Sequence, residues 1–161
     1  MAGLGGQFCM SVFAGRSGTR LCRMPTETLP ITFAMPSTPS LHSAIDSAQA
    51  DAATKFSWTA FTGGIHRLRF EPVSNAGIPV VDVYTSRTTA TWPDLKALGT
   101  PFPAGDDLNC KLKGFAPFSS MNVATGPYGL THLNTERREA DTNYIMVHAV
   151  PKAATTPTES P

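Results

Sequence analysis

Four histidines (His42, His66, His132, His148), three cysteines (Cys9, Cys22, Cys110) and the acidic pair Asp106-Asp107 are the residues of this chain whose types could do chemistry. A zinc centre recruits nitrogen and sulfur ligands at short, recurring spacings. No Cys-x-x-Cys, His-x-His or His-Glu-x-x-His spacing occurs. Two strands could bring His66 and His148 near Cys110, but the spacing favours partly buried, hydrogen-bonded side chains. A Cys-His nucleophile pair would draw on Cys110, which falls at an inward position of an alternating run. A packing thiol is the reading there. Gly63-Gly64 and the N-terminal Gly-Leu-Gly-Gly are not phosphate loops, because no Gly-Lys-Ser/Thr follows them. Asp106-Asp107 supplies too few oxygens for calcium and reads as a solvated turn. The cysteines are odd in number and sparse, which reads as three reduced, mostly buried thiols in a cytosolic setting. The expectation is a protein that is not an enzyme, with no catalytic, cofactor or metal residues.

Binding chemistry is the remaining class. Arg16, Arg20 and Arg23 form a basic cluster that would touch RNA phosphates if RNA is a partner. Arg137-Arg138 lies between Glu136 and Glu139 and is balanced by them. Trp92, Phe102, Phe115, Phe118 and Tyr128 lie in or beside irregular Pro- and Gly-rich stretches. Large aromatics so placed either cap the ends of a fold or anchor subunit contacts. Net charge is +1, so no global field steers nucleic acid or a membrane. Charged residues make up only 16% of the 161, which leaves a poorly solvated surface that partners would cover. No apolar run reaches the length of a membrane span, and the first residues lack a signal-peptide pattern.

The elements that must position these residues are mostly strands. Residues 56–72 carry two aromatic and apolar runs around Gly63-Gly64. In the second run His66, Leu68 and Phe70 alternate with Ile65, Arg67 and Arg69, the period of a half-buried strand. Further strands are expected at 7–14, 29–35, 79–85, 108–112 and 144–150, the last apolar on both faces. Residues 15–23 read as a turn-rich basic patch, 88–105 as a long loop, and more than twenty residues after 120 as another. One helix is expected over 39–53. Thr38 can cap it, Pro39 fits its first position, and Leu41, Ala44, Ile45, Ala48 and Ala52 recur at helical spacing. The organisation expected is a flexible arm at 1–6, one domain at 7–150 and a flexible tail at 151–161.

Strands joined by long Pro- and Gly-rich loops specify an all-β sandwich or barrel. The expected form is an eight-stranded antiparallel jelly roll with one short helix. The order of features resembles the capsid proteins of picornavirus-like viruses. The resemblance rests on the helix at 39–53, on Phe61-Thr62-Gly63-Gly64-Ile65, on the 78–85 strand, and on Ala116-Pro117-Phe118-Ser119-Ser120. It implies a structural subunit of a small icosahedral RNA virus capsid, partnered by other capsid chains and by single-stranded RNA. Its places would be the virion and, during assembly, the host cytoplasm. The alternative is a lectin-like glycan-binding module using Trp58 or Trp92 as a stacking platform. A metal enzyme on a cupin-like sandwich ranks third, since the His-x-His cluster typical of cupins is missing.

Overall fold

The computed structural model describes residues 8–23, 32–43, 48–74, 77–131 and 136–151. In chain order the strands are β1 (Phe8–Ala14), β2 (Ser17–Arg23), β3 (Leu41–Ser43), β4 (Ala48–Ala50), β5 (Phe56–Trp58), β6 (Ile65–Pro72), β7 (Val81–Thr85), β8 (Thr89–Ala90), β9 (Asp107–Ala116), β10 (Arg137–Asp141) and β11 (Ile145–Ala149). A short helix, α1 (Met121–Thr125), and a single 3-10 turn at Lys96–Leu98 complete the regular elements among the described residues. Eight strands form one sheet, and β3, β5 and β8 form a second.

Strand β9 organises the larger sheet. One of its edges pairs with β6 along its length, from Phe115 opposite Ile65 to Leu108 opposite Pro72. The other edge is shared: β11 takes its first half and β10 its second. Beyond β10 lie β2 and then β1; beyond β11 lies β4; beyond β6 lies β7. All these pairings are antiparallel except that of β4 with β11.

The alternation legible in β6 and β9 builds the core. His66, Leu68, Phe70, Leu108, Cys110 and Leu112 are buried on the inner face, and Arg67, Arg69, Lys111 and Lys113 lie on the outer one. The small sheet closes over that inner face with Phe56 and Trp58, and the rings of Phe56, Phe70, Trp92 and Phe102 contact one another in succession, edge-on at both ends and tilted between Phe70 and Trp92. At the far end Ile65 and Phe115 point outward yet are buried. Phe118, just before α1, and Ala124 within it cover them, and Ser120 caps that helix by accepting the Val123 N–H.

The all-β reading holds, with two sheets and long loops. The helix expected over 39–53 does not form. Leu41–Ser43 and Ala48–Ala50 are strands, and residues 44–47 lie outside the described set. The spacing of small apolar residues there fits a helix equally well, but β5 and β11 each present an edge that those residues pair with. Tertiary pairing overrides a weak local preference. Ser43 reinforces it by accepting the Ser57 N–H and donating to the Lys55 carbonyl. The basic patch at 15–23 is mostly strand, with the turn confined to Gly15-Arg16. Residues 32–35 are irregular, and the rest of the strand expected over 29–35 falls outside the described residues. The 88–105 loop contains β8 and the 3-10 turn, and the stretch after 120 contains α1 and β10. The arm at 1–6 and residues 152–161 of the tail also lie outside the described residues.

Candidate assembly surface

The cysteine reading needs correction, and the correction leads to the most unusual surface of the molecule. Cys9 and Cys22 are joined by a disulfide, and only Cys110 is free among the three. The bond clips β1 to β2 across a two-residue turn with Gly15 at φ +57°. Strand β2 is held on its other side by β10. Among the described residues β1 pairs with β2 alone.

Strand β1 projects past the sandwich. The register places Val12 in line with Thr19, Arg138 and Ala116, so Phe8, Met10 and Val12 lie on the face that lines the core elsewhere. None of the three is among the described residues that pack in the core beneath the small sheet. Phe8, Met10 and Val12 keep 36–40% of their surface exposed, and Phe13 on the opposite face keeps 70%. The carbonyl of residue 34 accepts the Thr19 hydroxyl of β2. Strand β1, Phe-Cys-Met-Ser-Val-Phe-Ala, carries no charge and no proline. It therefore lacks the usual features that keep an edge strand from adding another strand.

The outer face of the large sheet is, by contrast, densely charged. Arg67 stands opposite Lys113 and Arg69 opposite Lys111, arrangements that repel. Three carboxylates relieve them, each serving two cations. Asp82 meets Arg69 (2.9 Å) and Arg67 (3.8 Å), Asp141 meets Lys111 (3.2 Å) and Arg16 (3.5 Å), and Glu139 meets Lys113 (3.0 Å) and Arg137 (3.3 Å). The two-pronged hydrogen bond from Arg69 holds the Asp82 carboxyl below its ordinary value, and Asp82 in turn raises that of Arg69.

The residues singled out from sequence are scattered. Arg16 sits at the hairpin turn and donates to the Thr142 carbonyl. Arg20 and Arg23 fall on opposite faces of β2, Arg20 opposite Arg137 and Arg23 paired with Glu136. The three arginines do not converge. Of the aromatics, Trp92, Phe115 and Phe118 are buried in the chain's own core and Phe102 packs against it, so these four cap the fold. Tyr128 is 76% exposed. Trp58 and Trp92, the platforms a sugar site requires, are 3% and 5% exposed.

His66 and Cys110 face inward while His148 meets Asp107 on the outer side, 2.5 Å from Nδ1 to Oδ1. They form no common site, and no group of three or more metal-ligating side chains occurs among the described residues. His42 is exposed and His132 lies outside the described residues. His66 Nε2 accepts the Phe61 N–H, which fixes the neutral tautomer. Burial lowers its pKa. Burial pushes the Cys110 thiol up to about 12, the state of an inert packing group. Asp106 accepts the Ser74 hydroxyl and the Asp107 N–H, which places it in the turn entering β9.

No described helix is long and apolar enough to cross a membrane. Comparison with family models, with curated proteins and with solved structures gives no match. The pairing of β1 with β2 into a hairpin was not read from the sequence. Its first strand was expected at 7–14; its second was not, because the arginines and small residues of 17–23 have the composition of a turn.

Proposed function

We propose that this chain is a structural subunit that assembles with copies of itself and related chains into a small icosahedral shell around single-stranded RNA, acting in the virion and, while assembling, in the host cytoplasm. The observation that carries the reading is β1, an uncharged strand whose apolar side chains stand outside the sandwich. A strand so exposed is a liability in a monomer and a joint in an assembly. The ordered two-layer core supplies a rigid body behind that joint, and the resemblance of residues 36–150 to picornavirus-like capsid proteins supports the kind of assembly. If RNA is enclosed, its phosphates would meet the cations of the outer face, where six basic side chains (Arg16, Arg67, Arg69, Lys111, Lys113, Arg137) share the carboxylates of Asp82, Glu139 and Asp141, and Arg20 stands opposite Arg137. That contact would weaken steeply with salt.

Sedimentation velocity over a hundredfold range of protein concentration, with electron microscopy of the largest species, tests the reading. Mass that grows with concentration toward closed particles is the expected result. A monomer throughout the range overturns it.

A further inference from the structure

The hairpin geometry specifies how β1 would meet a partner. The Cα atoms of Cys9 and Cys22 are 4.1 Å apart, the close spacing of a non-hydrogen-bonded antiparallel pair. The two kinds of pair alternate along the ladder, so Ser11–Arg20 and Phe13–Gly18 are also non-hydrogen-bonded pairs. The backbone N–H and C=O groups of Cys9, Ser11 and Phe13 therefore point away from β2, along the open edge of the sheet.

We infer that this edge pairs with β1 of a second copy of the chain, antiparallel, about a two-fold axis through Ser11. This rests on the reading of the chain as an assembling subunit and names its first joint. Under that symmetry Ser11 meets Ser11 of the other copy, and Cys9 meets Phe13. The groups left open on one copy face those left open on the other. Three such pairs form about six backbone hydrogen bonds.

The side chains suit a second copy. On the core-side face Met10 comes opposite Val12 and Phe8 opposite Ala14, so two apolar strips merge into one. On the other face the Phe13 rings flank the paired serines. An uncharged strand meets an identical uncharged strand without like-charge repulsion. The opposite end of the large sheet is less suited. Strand β7 is shorter and carries Asp82, already committed to Arg69.

Proline at position 11 removes one of the outward N–H groups and leaves the β1–β2 ladder its own hydrogen bonds. Ser11→Pro should raise the dissociation constant of the first association step at least tenfold. Far-UV circular dichroism and tryptophan emission report whether the fold is retained. Ser11→Lys, which sets two like charges beside the axis, serves where the proline variant misfolds, and the same loss is expected. In a third sample Ser11→Cys carries a nitroxide. Paired labels should show strong dipolar broadening that grows with protein concentration, and the same label at Val83 should not.

Association at wild-type strength in a folded variant overturns the β1 pairing and leaves assembly standing. So does association without broadening at position 11, or broadening only in a mixture labelled at 11 and at 83. Hydrogen-exchange protection of Cys9, Ser11 and Phe13 that does not change with concentration means that the same chain covers the edge, and this also overturns the pairing. A wild-type protein that never associates removes both this joint and the assembly reading.

Discussion

Gly63 and Gly64 lie between the two apolar runs of residues 56–72, and the structure gives them different physical roles that a pair of alanine substitutions separates. Gly63 sits at φ +68°, and a Cβ built there meets nothing within 4 Å. Gly63→Ala thus costs only the left-handed conformation, about 1–2 kcal/mol. Gly64 is different. A Cβ there would lie 2.1 Å from the Phe115 carbonyl oxygen, 2.9 Å from its carbon and 3.1 Å from Phe61 Cδ1. The closest ordinary carbon–oxygen approach between strands is about 3.3 Å, so the backbones must separate by about 1.2 Å. The obstacle is backbone, and it belongs to the first pair of the β6–β9 ladder, Ile65 opposite Phe115. Parting them also uncovers the cluster under α1. Gly64→Ala should cost about 3 kcal/mol or more, at the upper end of overpacking penalties. Urea unfolding followed by the emission of Trp58 and Trp92, both buried, measures each variant. If Gly64→Ala proves no more destabilising than Gly63→Ala, the close approach of β6 to β9 is wrong.

Three further outcomes follow from the buried groups and the disulfide. With its thiol pushed up to about 12 and no exposure, Cys110 should react with a thiol reagent only as fast as the molecule unfolds; rapid native labelling would contradict its inward placement. His66 has a folded pKa below its ordinary 6.5, so the unfolded chain takes up the proton first as pH falls. Its contribution is complete above about pH 6.5 and shrinks below it. Urea midpoints of wild type and His66→Gln should therefore converge or cross on going from pH 7.5 to 5, and parallel curves would count against a neutral buried imidazole. Replacing Cys9 and Cys22 with serine removes a cross-link over 13 residues, a constraint of about 3 kcal/mol. Because β1 has one described neighbour, the loss should appear as faster hydrogen exchange across Phe8–Ala14 while the emission of Trp58 and Trp92 stays native.

Alternation made β6 and β9 legible in the amino-acid order, because a two-residue period with one wet face leaves a direct trace in residue types. Strand β11 was legible as a mostly apolar run, interrupted only by His148, since it lies between β9 and β4. Short strands left no such trace. Strands β3 and β4 have three residues each, too few for a period, and their alanines fit either conformation. Strand β10, Arg-Arg-Glu-Ala-Asp, resembles a solvated turn by composition. It is a strand because β9 and β2 flank it, and its carboxylates Glu139 and Asp141 meet Lys113 and Lys111 of β9.

The site divides in the same way. Residue order alone determined an all-β chain with sparse charge and without the spacing of a metal or nucleophile site, because those properties reside in residue types and intervals. Which residues face outward was decided only in three dimensions. Trp92, Phe115 and Phe118 occur in irregular stretches or at a strand end, yet fill the core. Phe8, Met10 and Val12 look like a core strand, yet stay exposed and join none of the described core clusters. Burial is a property of what comes to lie opposite a residue. The partners that set it are distant in sequence, and only the folded sheet brings them into register.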